Sequence, residues 1–234
     1  MKTILRPSGD QYFLKDALRD LVVVVVGILA ALYLESWWQD RQDHVEETLL
    51  LQGLRTEFID NREQLVERIS IWSDVRDASL AARQLMGQSV EDIGADQVRK
   101  SFISTLSMRF YDPRTGQLSS LISSGKLGLI RNAELRARIA DWPSFIEDLE
   151  IEREGALHIL TNTLGPALGE FFTNGPPNGP FKDRPDAALS DRRIYNLLGS
   201  MAGTMNRTLR EGNVILESTN NIIAMIDTEL TGSQ

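Results

Sequence analysis

Residues 21–38 read LVVVVVGILAALYLESWW, and the fold turns on whether that run lies in lipid or in a protein core. Leu21 to Leu34 carries no charge for fourteen residues. Taken alone that is short. A membrane-crossing helix needs about 20 apolar residues, and a run of 10–14 also suits a core segment or the centre of a secretory signal. The flanks decide. Tyr12, Phe13, Ala17 and Leu18 precede the run, and Trp37 and Trp38 close it. A helix from Ala17 to Trp38 is roughly 33 Å long at about 1.5 Å per residue, enough to cross the hydrocarbon core. Arg19 can snorkel to one headgroup layer, Glu35 stands near the opposite surface, and the Trp37–Trp38 pair matches an interfacial aromatic belt.

Two rivals are weaker. A cleaved signal wants a basic start and small residues before the cut. Here the leader carries Asp10, Asp16 and Asp20, and a cut after Ala31 puts Leu29 where a small residue is preferred. Five consecutive valines favour a β-strand in water, but no other strand-like segment offers a pairing partner. A lone span in lipid must satisfy its backbone internally, which forces helix. The sequence therefore predicts a short tail over 1–16, a transmembrane helix over 17–38 and a further domain over 39–234. No second long apolar run follows, so the chain is expected to cross once.

Lys and Arg set orientation. Lys2, Arg6, Lys15 and Arg19 precede the span. From Glu35 to Asp60 only Arg41 and Arg55 stand among seven acids. This favours a cytoplasmic N-terminus and an exported C-terminal domain. Within the span, Gly27 and Ala31 are four apart, a spacing that permits close helix approach, and Glu35 lies one turn further on the same face. That is either a helix-association seam or the ordinary occurrence of small residues in a span; the second reading is somewhat favoured.

The remainder reads as all-α. Leu51, Leu54, Phe58, Leu65, Ile69 and Trp72 recur at three- and four-residue steps between charges, an amphipathic stripe continuing to about Met86. Gly53 is its one weak point, and Asn61 is placed at the stripe's edge. GQSVEDIGAD is expected as a loop, with Asp96 capping a helix to about Met108, then a YDPRTG turn and a short helix ended by Gly125. Asn132 caps the next helix, with Glu134 in its first turn, and Pro143 kinks or restarts it. A long helix carrying Phe145, Leu149, Leu157, Leu160 and Leu164 follows, weakened at Gly165-Pro166. A Pro/Gly loop spans 173–186. The last helix, about 191–230, shows Ile194, Leu198, Met201, Met205, Leu209, Ile215, Ile222, Ile226 and Leu230 on one stripe. The expected architecture is one N-terminal transmembrane helix continuing into an elongated helical bundle.

Two segments carry a resemblance. Leu54, Glu57 and Asn61 form an L-x-x-E-x-x-x-N pattern just after the span. Further on, Ser124, Gly125, Leu127, Leu129, Ile130, Asn132, Glu134 and Leu135 form S-G-x-L-x-L-I, a polar residue and EL. Together with the Trp-flanked span they resemble a family of uncharacterised bacterial single-pass membrane proteins, over the first two thirds of the chain. The Trp37-Trp38 patch departs from the family's more asparagine-rich version. The resemblance implies a membrane anchor and a helical domain, which with the orientation above puts the span in a bacterial inner membrane and the domain in the periplasm, and it brings no activity with it.

Chemistry is sparse. The chain of 234 residues has a net charge of −8, no cysteine and two histidines. The acidic balance argues against nucleic-acid partners. Missing cysteine removes disulfides, zinc–thiolate sites and thiol nucleophiles. Acid pairs such as Glu46-Glu47, Glu91-Asp92 and Glu147-Asp148 read as solvated, salt-bridged faces rather than catalytic dyads. Asp40, His44 and Glu47 share a face, the minimum for a weak metal site, but match no ligand motif. His158 is expected to be partly buried. Gly125, Gly128 and Asn132 mark either a binding corner at a helix N-terminus or a plain helix–turn–helix joint, the latter favoured. No catalytic set and no cofactor is expected. The reading is a membrane-anchored, non-catalytic protein working through contacts with a second copy or another membrane protein, as a structural, assembly or accessory subunit. The alternative is a ligand-binding periplasmic sensor relaying through a separate membrane partner, since the short N-terminal tail is too small for an output domain.

Overall fold

The apolar run is the early part of a single helix, α1, Asp10–Leu85, 76 residues long. The computed structural model describes residues 10–173 and 181–232, with side chains from residue 18 onward. The expected tail over 1–16 and the Pro/Gly loop over 173–186 therefore lie partly outside the described residues. After α1 come α2 (Val90–Ile93), α3 (Ala95–Ser104), α4 (Gly116–Ser123), α5 (Ala133–His158), α6 (Gly165–Gly169), α7 (Pro185–Ser190) and α8 (Arg192–Gly232). A 3₁₀ turn, Lys126–Leu129, leads towards α5, and a π-helical turn, Ile159–Leu164, joins α5 to α6. Every element among the described residues is helical, as the periodicity required. Contacts divide the chain into two units, one reaching to Leu49 and one from Leu50 onward.

In the first unit the helix is uncovered from Leu18 to Gln42. From Leu18 to Trp38 every large apolar side chain is exposed, Val25 at 45 % being the least so. The window of highest mean hydropathy reaches 2.0, and α1 is long and apolar enough to cross a membrane.

The second unit has a core drawn from α1, α5 and α8. The expected stripes are there. Leu51, Leu54, Phe58, Leu65 and Trp72 of α1 are buried, as are Ile194, Leu198, Met201, Met205, Ile215, Ile222 and Ile226 of α8. At their meeting point the Trp142 ring of α5 stands edge-on to Phe58, with centroids 5.3 Å apart, and its indole N–H donates to the Thr219 hydroxyl at 3.0 Å. Gly212 of α8 lies so near α1 that an added Cβ would sit 2.7 Å from the Trp72 ring.

Several expectations need correcting. GQSVEDIGAD is not all loop, since it holds α2 and opens α3, and the Pro/Gly loop ends by Arg184, where Pro185 starts α7. Pro143 does not restart its helix: α5 begins ten residues earlier and runs unbroken through it, because Ile139, Trp142 and Leu149 are buried on both sides of the missing N–H. Asp96 is not a cap; it lies in the first turn of α3, whose cap position is Gly94 at φ +90°, a conformation that favours glycine. That helix also stops at Ser104 rather than Met108. The Ser104 and Thr105 hydroxyls turn back onto the Ser101 and Phe102 carbonyls and compete with its continuation. Lastly, Leu157 and His158 are exposed. The buried stripe of α5 steps through Trp142, Leu149 and the small Ala156, about 100° around the helix from Leu157.

The weakness at Gly165-Pro166 resolves as the π turn. Pro166 has no N–H to donate, and a Cβ at Gly165 would run into the Leu160 carbonyl. Beyond α6 the ends of the Pro/Gly segment are tied together. The Thr173 N–H donates to the Asp183 carboxylate at 2.9 Å, and Arg99 pairs with Asp183 while donating to the Thr173 carbonyl at 2.7 Å. Burial alone would raise the Asp183 pKa; the Thr173 N–H and the Arg99 guanidinium outweigh it and hold it below the usual carboxylate value. A lowered folded-state pKa gives stability that is full above the unfolded value, about 4, and is lost as pH falls through the folded one. Asp183→Asn is expected to flatten the acid limb of the stability–pH profile, measured by urea midpoints between about pH 2 and 5.

Candidate functional site

The Leu54–Glu57–Asn61 pattern is where the sequence is most particular, and its residues have a definite job. Glu57, Asn61, Arg68 and Trp72 lie within about 60° of one another on α1. Residues 107–115, between α3 and α4, form no regular element and run past this face in the opposite direction. Each of the four side chains takes hold of that strap's backbone or of the helix that follows it. The Trp72 indole donates to the Arg109 carbonyl at 2.7 Å, and Arg68 Nε to the Phe110 carbonyl at 2.9 Å. Asn61 uses both ends of its amide: Nδ2 donates to the Arg114 carbonyl at 2.7 Å, and Oδ1 accepts from the Arg114 N–H at 2.8 Å. Glu57 accepts from the N–H groups of Gln117 and Leu118 at 2.7 and 3.0 Å.

Those last contacts cap α4 from outside. The first N–H groups of a helix have no partner within it. Thr115, at the cap position, makes no side-chain bond to them. Glu57 supplies the acceptor from another helix, and its charge suits the positive end of the helix dipole. Asn61 is 2 % exposed; it is not at the edge of the stripe but inside it, and the reason is the strap. Tyr111 of the strap is buried too, which pushes its phenol pKa up. Asn61→Ala strands both Arg114 backbone groups and is expected to cost about 2 kcal/mol, read as a lowered urea midpoint at unchanged slope.

Beside the clamp is an open groove of about 480 Å³, lined by Asp60, Asn61, Glu63, Gln64, Glu67, Arg68 and Arg114. Two of its three acids face bases, Glu67 with Arg68 at 2.9 Å and Asp60 with Arg114 at 3.2 Å, and Glu63 leaves the groove net negative. It contains no nucleophile–base pair.

The second pattern is also structural in what it touches. Gly125 holds φ +71°, the left-handed turn that ends α4. Asn132 caps α5, its Oδ1 accepting from the Leu135 N–H at 3.0 Å, while its Nδ2 donates to Glu229 at 2.7 Å. A carboxylate of α8 thus already stands beside that N-terminus. Ile130 is buried and Leu127 packs against the core. Around Gly128 an added Cβ meets nothing within 4 Å.

In the first unit, Arg19 lies 3.7 Å from Asp20 and both are exposed. Trp37 and Trp38 are 55 % and 58 % exposed, and Gly27 has open space around it. Ala31 and Glu35 are exposed on the same uncovered helix. His44 Nδ1 is 3.7 Å from the buried Glu47 carboxylate. Among the described residues no three His, Asp or Glu side chains converge on a metal position. His158 meets Asn162 at 3.0 Å on the surface.

No family model, no curated protein and no solved structure matches the chain. The clamp partners of Glu57 and Asn61 were out of reach of sequence reading, since the Arg114 contact spans 53 residues and no local signal announces it.

Proposed function

We propose that the chain is a membrane-anchored, non-catalytic helical protein that acts through protein contacts, as a structural, assembly or accessory subunit. Its N-terminus faces the cytoplasm of a bacterium and its helical unit lies outside the inner membrane. The observation that carries this is the first unit's apolar surface. Soluble monomers rarely leave apolar patches beyond a few hundred Å² uncovered, and a helix that is apolar all round belongs in a large core or in lipid. The excess of Lys and Arg ahead of the span supports the orientation. Continuity of α1 past Ala31 to Leu85 supports an uncleaved anchor over a removed signal. Non-catalytic action is supported by what the polar residues do: Glu57, Asn61, Asn132 and Glu229 are spent on backbone groups and on each other.

The test joins fractionation to topology. The intact chain should pellet with membranes after alkaline washing, and a reporter active only outside the cytoplasm should be active when fused after Gln234. A chain in the supernatant refutes the anchor; an inactive reporter beside an active cytoplasmic one reverses the orientation. Solubilisation in mild detergent should then bring a second protein or a second copy with it.

A further inference from the structure

We infer that two copies of this chain pair through the segment of α1 that follows the Trp37–Trp38 belt, as a parallel, in-register coiled coil centred on Val45. This rests on the membrane-anchored reading above. The burial pattern there is inverted. Glu47 is 5 % exposed, whereas Val45 and Leu49, on the opposite side of the helix, are 56 % and 64 % exposed, and Trp38 is 58 %. A carboxylate is buried while the apolar stripe is uncovered.

The stripe has the spacing of a coiled-coil seam. With Gln42 at position a of a heptad, Trp38 and Val45 fall at d, Leu49 at the next a, Arg41 at g and Glu46 at e. In a parallel pair, a knob at a enters a hole made by the d and g before it, its own a, and the following d. A knob at d enters one made by a, d, e and the next a. Here the two holes are Trp38, Arg41, Gln42, Val45 and then Gln42, Val45, Glu46, Leu49. A groove of about 560 Å³ on this face is lined by those six residues together. Backward from Gln42 the same register reaches Glu35 and Ala31, so it is continuous with the small-residue face of the span. Forward it ends, because Gln52 and Thr56 are polar and exposed.

Charge names the occupant. In parallel coiled coils, g of one helix faces e of the next heptad in its partner, five residues on. Arg41 and Glu46 are five apart and opposite in sign, so an in-register second copy meets both of its own complements. A single span inserted one way holds every copy parallel, and a two-fold interface presents the same patch from both sides.

The absence of cysteine makes the test direct. Single variants Gln42→Cys, Val45→Cys and Leu49→Cys in native membranes should form disulfide-linked dimers several-fold faster than Asp40→Cys and Asp43→Cys, because facing a and d positions come within disulfide reach. In the Val45→Cys background, Arg41→Glu should lower cross-linking, and adding Glu46→Arg should restore it. A flat profile across the five positions, or none above background, in a chain that pellets with membranes overturns the pairing and leaves the anchor standing. A chain in the supernatant overturns both. Failure of the charge swap to restore cross-linking overturns the parallel register.

Discussion

Ile222→Asp abolishes the stable fold of the second unit at neutral pH. Ile222 is fully buried on α8, in a stripe whose neighbours Ile215 and Ile226 are also at 0 % exposure. A lone carboxylate placed there loses its hydration and gains no partner. The expected cost is about 4 kcal/mol or more, a large share of the roughly 5–15 kcal/mol that holds a typical domain together. The introduced carboxyl is expected to have its folded-state pKa raised. Its penalty is then complete above that raised value and shrinks as pH falls towards about 4, where the unfolded chain also takes up the proton. Ile222→Asn carries no charge and should lack that pH dependence. Ile222→Val removes one methylene and should cost only about 1 kcal/mol. Far-UV circular dichroism of the full chain in detergent during urea titration reads all three. An unchanged midpoint for Ile222→Asp would show that this side of α8 is not core.

The α8 stripe was legible because nothing competes with it: nine apolar residues fall on one face of an uninterrupted helix, and all but the part-buried Leu230 at its end are buried as their period requires. Where periodicity is interrupted, legibility fails. Ala156 takes the core position that Leu157 was expected to hold, since sequence reading weighs leucine above alanine while the helix phase does not. Pro143 suggested a break, yet burial of the residues around it outweighs one lost N–H. The loss at Asn61 is different in kind. A polar residue on an apolar stripe signals either an edge position or a distant partner, and α1 alone does not contain the strap that decides between them. The same holds for Glu57, whose three-residue offset from Leu54 says nothing about the helix it caps. The resemblance picked out Glu57, Asn61, Gly125 and Asn132, and all four hold turns or helix ends in place. Patterned residues here mark the joints of the unit.

Trp142→Ala is expected to cost about 4 kcal/mol, within the 3–5 kcal/mol usual for emptying a buried large aromatic site. Three helices meet at this ring: Phe58 of α1 stands perpendicular to it, and Thr219 of α8 accepts its indole N–H. Trp142→Phe keeps an aromatic partner for Phe58 and strands the Thr219 hydroxyl, so its cost should be smaller, about 2 kcal/mol. Thr219→Val separates the two contributions, since it removes the acceptor and keeps the volume. Combined with Trp142→Phe it removes both hydrogen-bonding partners, so the two costs should fall short of additive by about 1 kcal/mol. Urea midpoints of the four chains give the coupling. If the two costs add in full, the indole does not hold α5 to α8 through Thr219, and the junction rests on ring packing against Phe58 alone.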